Sequence, residues 1–288
     1  MAANDTASPS AFAPPDVIDE CARMGRMGDL FANALRLPST ASIEERTNHF
    51  IREVEERLSR FKDPPPDFHP AIEWEFSSDI VDLSTFVPAN SPAQDLLVNI
   101  VVSLHSTKEY DEEHMWKGME SFGMATREAW NRSPKNEPDT RGWDFTGTQW
   151  LNLTSFLARL FQKRVAYWLN FPLWELRQDL EEPLSPTALS IKMPIVREWF
   201  RHAALEIRQE SLLRALTDEP EGGRHGYPYR AGPLFEGEKG FTVERWNFWK
   251  RRLEEIRDNV DENLRVVVNE AIEEKSGDSS SEHTSKWK

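Results

Sequence analysis

The spacing of apolar residues constrains this chain most, because that spacing is helical over most of the 288 residues. Apolar side chains recur at intervals of three and four, as they do along one face of a helix. The pattern is clear in the segment that contains Phe50, Val54, Leu58 and Phe61. No alternation of apolar and polar residues is long enough to predict a sheet. We therefore expect an all-α fold, an irregular multi-helix bundle or short solenoid of about eight or nine helices.

Start and stop signals place several of these helices. Ser42 and Glu45 form a capping-box pattern at the start of a helix that we expect at residues 43–62. Prolines cluster within residues 63–91, where we expect a linker or a packed irregular segment. The other helices are expected at about residues 92–104, 111–131, 150–161, 165–180, 187–216 and 242–274, with Pro194 interrupting or starting part of the fifth.

The two ends of the chain lack this periodicity. We expect disordered tails at residues 1–15 and 276–288, and a single all-helical domain at residues 16–275. Six of the 13 glycines fall within residues 222–240. We expect a long loop there, and loops of that length are usually functional or mobile.

Composition argues against several classes of protein. Asp and Glu number 49 against 35 Lys and Arg, which gives a net charge of −14 and makes nucleic acid an unlikely partner. The longest nearly apolar run, residues 96–104, is much shorter than the ~20 residues that span a bilayer. Cys21 is the only cysteine, so no intramolecular disulfide forms and we expect an ordinary thiol in a reducing compartment. The start of the chain does not resemble a secretory signal. We expect a cytoplasmic or nuclear protein that is neither secreted nor membrane-bound.

Two groupings resemble fragments of catalytic or metal sites. Asp111 and His114 share a helical face, and Glu198, His202 and Glu206 are spaced four and four apart. Neither grouping has the further ligands or partners that such sites need, and solvated helix faces explain both. Phosphate-loop, dinucleotide-binding and serine-hydrolase motifs are absent from the sequence. We nominate no catalytic residue, no metal ligand and no cofactor, and we lean away from an enzyme.

An aromatic stripe is the most distinctive pattern. Its members follow one helical face and are Trp246, Trp249, Leu253 and Ile256. Core packing is the default explanation for such a stripe. The cations beside it are Arg245, Lys250, Arg251 and Arg252. Aromatic rings with flanking cations could also bind an anionic or aromatic ligand, or a partner.

Three blocks of the sequence share their order and approximate spacing with a known family. They are Trp150 to Leu160, then Trp174-x-Leu176-Arg177-x-x-Leu180-Glu181, and finally Gly232-Pro233-Leu234-Phe235 through Gly240-Phe241 to Arg245-Trp246-x-Phe248-Trp249-Lys250. These blocks resemble the fungal family catalogued as domain of unknown function 3632, over about residues 70–270. The resemblance implies a fungal, intracellular, helical protein, and it transfers no catalytic residue.

Two functional hypotheses follow from these patterns. The first is a non-enzymatic interaction or regulatory module that binds a protein partner, because Trp and Arg are enriched at binding hot spots. The alternative is a small-molecule or anion-binding protein, or an enzyme with an unfamiliar site. Nucleic-acid binding near residue 250 is a third and weaker possibility. The candidate ligand- or partner-binding residues are Arg159, Trp174, Arg177, Arg245, Trp246, Trp249 and Lys250.

Overall fold

The structure is a computed structural model that describes residues 12–60, 68–106, 120–134, 144–165, 168–218 and 229–273. All regular structure in these ranges is helical, which confirms the all-α prediction. The described residues form eleven helices, so the expected number of eight or nine was too low.

The helices fall into two compact units. The first unit, Met1–Tyr167, holds α1 (Pro15–Ala22), α2 (Gly25–Arg36), α3 (Ile43–Leu58), α4 (Phe68–Phe86), α5 (Pro92–Ser106), α6 (Glu120–Trp130) and α7 (Gly147–Gln162). The second unit, Trp168–Lys288, holds α8 (Asn170–Leu180), α9 (Pro186–Leu213), α10 (Val243–Asn259) and α11 (Glu262–Glu273). The single domain expected at residues 16–275 stays a prediction. The expected tails lie almost entirely outside the described residues.

Local capping explains where two helices of the first unit begin. At α3, the Ser42 hydroxyl accepts a hydrogen bond from the Glu45 amide (3.1 Å), and the Glu45 carboxylate accepts one from the Ser42 amide (2.7 Å). This is the capping box that the sequence predicts. Thr146 and Gln149 form the same reciprocal pair at the start of α7.

The linker expected within residues 63–91 is wrong for Phe68–Phe86, which form α4. Pro70 lies in the first turn, where a missing amide removes no intrahelical hydrogen bond. The helix buries Phe76, Ile80 and Leu83 completely. Burial of these side chains stabilises α4. The prolines before it had favoured a linker instead.

The last two helices were expected to be one. Val260 has an extended backbone, with φ −111° and ψ 165°, and separates α10 from α11. The Asp261 carboxylate then accepts a hydrogen bond from the Leu264 amide at 3.0 Å. A side-chain cap of this kind starts a new helix. Pro194, in contrast, does not interrupt α9, which continues through it.

Arg46 joins α2 to α3 in the first unit and is completely buried. Its acceptors among the described residues are all backbone carbonyls, those of Ala34 (2.7 Å), Leu35 (3.1 Å), Pro38 (2.7 Å) and Ala41 (3.3 Å). These carbonyls lie at and beyond the C-terminus of α2, where the helix dipole favours a cation. Burial lowers the pKa of Arg46, and the nearby Glu45 opposes that shift.

Candidate functional site

The carboxylate of Glu181, directly after α8, organises the interior of the second unit. It is completely buried and accepts four hydrogen bonds. Arg245 donates two of them, from Nε (2.6 Å) and Nη2 (3.0 Å). Trp249 Nε1 and the Gly232 amide donate the others, each at 2.7 Å. We call Glu181, Gly232, Arg245 and Trp249 the Glu181 clamp.

Arg245, which was nominated as a binding residue, uses all of its N–H groups inside the protein. Besides the two bonds to Glu181, it donates to the carbonyls of Tyr229 (3.0 Å), Gly240 (2.9 Å) and Arg230 (2.9 Å). A guanidinium has five donors, and each of them has an acceptor here. The pair is thus completely hydrogen-bonded, as a buried ion pair must be if it is to be tolerated.

The clamp fixes the loop of residues 229–242, which we call the signature loop. A Cβ at Gly232 would lie 2.6 Å from the Glu181 Cβ, so no larger residue fits there. Gly240 has a φ of +74°, and a Cβ there would lie 2.6 Å from the carbonyl carbon of Leu216. Positive φ and close backbone approach are both conditions that glycine meets. The conformation and close packing of the signature loop therefore require glycine at positions 232 and 240.

The aromatic stripe of α10 lies in the core. Its four members, Trp246, Trp249, Leu253 and Ile256, are buried. The Trp246 ring stacks on Phe200, with 5.3 Å between ring centroids. The Trp249 ring meets Phe241 edge to face at 6.2 Å. Core packing, the default explanation, is confirmed for this stripe.

The opposite face of α10 borders an open groove. Glu244, Asn247, Phe248 and Arg251 follow this face at spacings of three, four and seven residues. The signature loop supplies the other wall with Pro233, Leu234, Phe235 and Glu236. The space between the walls is about 700 Å³. We call it the signature groove.

The remaining nominated residues do not join this groove. Arg159 belongs to the first unit, where it donates to the Ala89 carbonyl (3.0 Å) and lies 3.3 Å from the Asp95 carboxylate. Lys250 is half-buried on α10. Trp174 and Arg177 lie one turn apart on α8, and the Trp174 ring meets Phe171 edge to face at 5.8 Å.

The Arg177 guanidinium differs from that of Arg245. It is half-buried, and its buried Nε has no hydrogen-bond acceptor within the part of the chain that the structure describes. Burial is the main cause that lowers the pKa of Arg177, and the nearby Arg230 lowers it further. A half-buried cation beside a like charge is destabilised unless an anion joins it.

A second buried ion pair was not predicted from the sequence. Lys192 of α9 donates to the Asp179 carboxylate of α8, and Glu175 lies near both. Burial opposes the charge on Lys192, but Asp179 and Glu175 outweigh it, so the pKa of Lys192 is raised. Isolated charged residues on amphipathic helices give no sign of such pairing, because the partners come from different helices.

Of the two groupings that resemble catalytic fragments, the one formed by Glu198, His202 and Glu206 lies within the described residues. The Glu198 carboxylate accepts hydrogen bonds from Arg197 at 3.0 and 3.1 Å, while His202 lies 3.4 Å from its other oxygen. Asp111 and His114 lie outside the described residues. In the described ranges, no group of three or more His, Cys, Asp or Glu side chains is placed to hold a metal ion. Nor does any helix in those ranges have the length and apolarity needed to cross a membrane.

Comparison with known proteins gives one match. The family described as "Protein of unknown function (DUF3632)" matches residues 78–253, which is more than half of the chain. The matched segment contains the whole Glu181 clamp and the signature groove, but it excludes Arg46. Neither a curated protein nor a solved structure matches. The family resemblance seen in the sequence is thereby confirmed, and the chain belongs to this family of unknown function.

Proposed function

We propose that this protein is a non-enzymatic interaction module that binds a peptide segment of a protein partner in the signature groove. One observation carries the proposal. The Glu181 clamp holds the signature loop and α10 on the side that faces the core, whereas their other side lines the open signature groove. In keeping with the family resemblance, the protein would act as a regulatory module in the cytoplasm or nucleus of a fungal cell.

The inner side supports the proposal through rigidity. The Glu181 clamp holds the signature loop by side-chain and backbone bonds, and the Gly240 amide adds a bond to the Tyr229 carbonyl (2.9 Å). The Phe241 amide donates to the Ala215 carbonyl at 2.8 Å. A wall that is fixed before binding loses little conformational entropy when a ligand arrives. The clamp therefore presents a preformed surface.

The groove offers an apolar anchor site. Leu234 lies in the signature loop and is 39% exposed. Phe235 and Phe248 pack against each other beside it, with 5.3 Å between ring centroids. An apolar side chain of a partner could bury itself against these three residues. Such central apolar contacts supply most of the energy in peptide and protein binding.

Charge selects the kind of peptide. Glu236 and Glu244 are exposed on the rim, and no cation among the described residues pairs with either. Arg251 is the one cation among the described residues that line the groove, so this part of the lining carries a net negative charge. Electrostatic complementarity favours a partner segment in which Lys or Arg flanks an apolar residue.

A peptide library displayed on phage and selected against the full-length chain tests this proposal. We expect selected peptides to carry an apolar residue flanked by Lys or Arg. Their affinities are then measured by titration against the wild type and Leu234→Glu, which places a charge in the apolar anchor site. Binding should fall at least about tenfold, because the anchor contact is lost.

Leu213→Glu provides the matched control. Leu213 is an even more exposed leucine of the second unit, on α9 and outside the groove lining. Peptides that bind Leu213→Glu normally and Leu234→Glu weakly support the proposal. Failure to select peptides, or equal affinity for wild type and Leu234→Glu, would overturn it.

A second candidate function, anion binding, is favoured by Arg177. Nε of its half-buried guanidinium has no acceptor among the described residues, and the like charge of Arg230 nearby, together with burial, outweighs the carboxylates of Glu182 and Glu181. Trp174 lies one turn before Arg177 on α8, so its fluorescence would report an anion bound at Arg177. A small anion such as phosphate would offset both charges and supply the missing acceptor.

Inorganic phosphate is the probe for this second function. We expect phosphate to raise the melting temperature of the wild type and to leave that of Arg177→Gln unchanged. Arg201→Gln, an exposed arginine of α9, serves as the control for general charge loss. If Arg177→Gln and the wild type respond equally to phosphate, Arg177 does not bind the anion.

A further inference from the structure

A cavity of about 340 Å³ opens in the first unit among α2, α3 and α4. Its buried floor is apolar and is formed by Met27, Val54 and Ile72. Pockets of about 300–1,000 Å³ with mostly apolar walls and a few polar groups are typical of small-molecule sites. Because its lining lies between residues 26 and 75, the cavity is separate from the segment that the family matches.

Three arginines surround this cavity. Among the described residues, Arg26, Arg57 and Arg60 line it together with a single acidic residue, Glu75. We call this cavity the arginine pocket. The formal charge of its lining is therefore positive, in contrast to the acidic average of the chain. Guanidinium groups match carboxylates well, because their parallel N–H donors can bind both oxygens.

The arginines have donors left for a ligand. Arg57 is positioned from behind, since Nη1 donates to the Arg26 carbonyl (3.0 Å) and Nη2 to the Asp29 carboxylate (2.5 Å). Its Nε has no acceptor among the described residues. Nε of Arg26 lies 2.9 Å from a Glu75 carboxylate oxygen, and its two terminal amino groups donate no hydrogen bond to a described residue. Arg60 pairs only with the exposed Glu56 of its own turn.

We infer that the arginine pocket binds an amphipathic monoanion, a molecule with an alkyl chain and a carboxylate. The alkyl chain lies against Met27, Val54 and Ile72, and the carboxylate is bound at the mouth by the arginines. An uncharged molecule would offer no carboxylate to the remaining N–H donors of the arginines, and a cationic one would be repelled by the arginines. The two ends of the pocket therefore select for both properties at once.

Three ligands of equal chain length test this inference by isothermal titration calorimetry on the full-length chain. Decanoate carries the proposed head group, decanol has none, and decylammonium reverses the charge. We expect decanoate to bind at least about tenfold more tightly than either of the others, because charge-assisted hydrogen bonds are lost in both. Equal affinity for decanoate and decanol would overturn the role of the arginines.

Variants locate the binding. Leu58→Trp fills the cavity from its half-buried wall and should abolish decanoate binding. The double variant Arg26→Gln, Arg60→Gln removes two exposed cations and should weaken binding about tenfold without preventing folding. Arg52→Gln is the control, because Arg52 is exposed on α3, the helix of Leu58, and lies outside the cavity lining.

Circular dichroism first establishes that each variant is folded. Decanoate affinity that falls in Leu58→Trp and in the arginine double variant, but not in Arg52→Gln, supports the inference. Unchanged affinity in both pocket variants means that decanoate binds elsewhere, and no binding to the wild type means that the pocket does not take this class of ligand. Either result overturns the inference.

Discussion

The two units stabilise their buried cationic side chains in different ways. In the first unit, Arg46 is completely buried, and its acceptors among the described residues are carbonyls at and beyond the end of a helix rather than carboxylates. In the second unit, Arg245 is equally buried but is paired with Glu181, and Lys192 is paired with Asp179. The family matches the region with the paired charges and excludes the other.

The difference separates two ways of making an arginine tolerable in a protein interior. A helix C-terminus offers several partial negative charges, so the cation needs no specific partner side chain. A carboxylate offers a full counter-charge, but removal of either partner leaves the other one buried and unpaired. The Glu181 clamp should therefore fail more severely than the Arg46 contact when a single residue is changed.

The largest effect is expected for Glu181→Gln. This change leaves Arg245 charged, buried and without its counter-charge, so the free energy of unfolding should fall by about 3–5 kcal/mol. Urea denaturation measures the change. Glu254→Gln on the exposed side of α10 should cost less than about 0.5 kcal/mol.

The double variant Glu181→Met, Arg245→Met sharpens the same point. Because both charges are removed together, part of the lost stability should return relative to Glu181→Gln. The single variants Glu181→Met and Arg245→Met complete the comparison. If the loss of unfolding free energy in the double variant equals the sum of their two losses, the charges do not depend on each other, and the proposed difference between the units is wrong.

A smaller effect is expected for Arg46→Met. Methionine fills much of the same space, but the carbonyls of Ala34, Leu35 and Pro38 lose their donors. No opposite charge is left behind, so the loss should be about 2 kcal/mol in urea denaturation. A loss as large as that of Glu181→Gln would show that helix-end carbonyls bind the cation as strongly as a carboxylate does.

Cys21 allows a test of uncompensated burial in the first unit. Burial, followed by the nearby Glu20, raises the pKa of the Cys21 thiol from 9.0 to about 12. Above pH 9 the unfolded thiol ionises while the folded one does not, so stability is lost as the pH rises. Compared with Cys21→Ala, the wild type should lose about 1 kcal/mol between about pH 8 and pH 10. Parallel pH profiles of the two proteins would contradict this.

The smallest effect on stability is expected for Leu234→Glu. The side chain lies on the outer side of the signature loop, so the free energy of unfolding should change by less than about 0.5 kcal/mol. A thermal unfolding experiment checks this. A large loss would mean that Leu234 belongs to the clamp rather than to the groove, and it would remove the contrast between the two sides of the loop.

Local interactions were predictable from the sequence, and distant ones were not. The Ser42–Glu45 capping box involves residues three apart, and it marks the start of α3 correctly. α4 was missed because its neighbouring prolines are local signals, whereas the burial that stabilises it comes from other helices. The break within the helix expected at 242–274 is an exception, because its signal, the Asp261 cap, is local.

The candidate site was predicted only in part. Helical spacing correctly assigns the Trp246 and Trp249 stripe to one face, but spacing cannot show that Glu181, 64 residues before Arg245, is its partner. The groove residues Leu234 and Phe248 were part of the family blocks, yet nothing distinguished them from their buried neighbours. One signal in the sequence could have indicated the Glu181 clamp. Gly232 and Gly240 precede Arg245, and Trp246 and Trp249 follow it.

The position of Glu181 also has a consequence for the order of synthesis. Arg46 finds its acceptors 5 to 12 residues earlier, so this contact can form as soon as α3 leaves the ribosome. Glu181 must wait for Arg245 and for Trp249, 68 residues later, and until then its carboxylate stays hydrated. Contacts this distant in the chain form late and slow folding. The Glu181 clamp therefore stays incomplete for longer during translation than the Arg46 contact does.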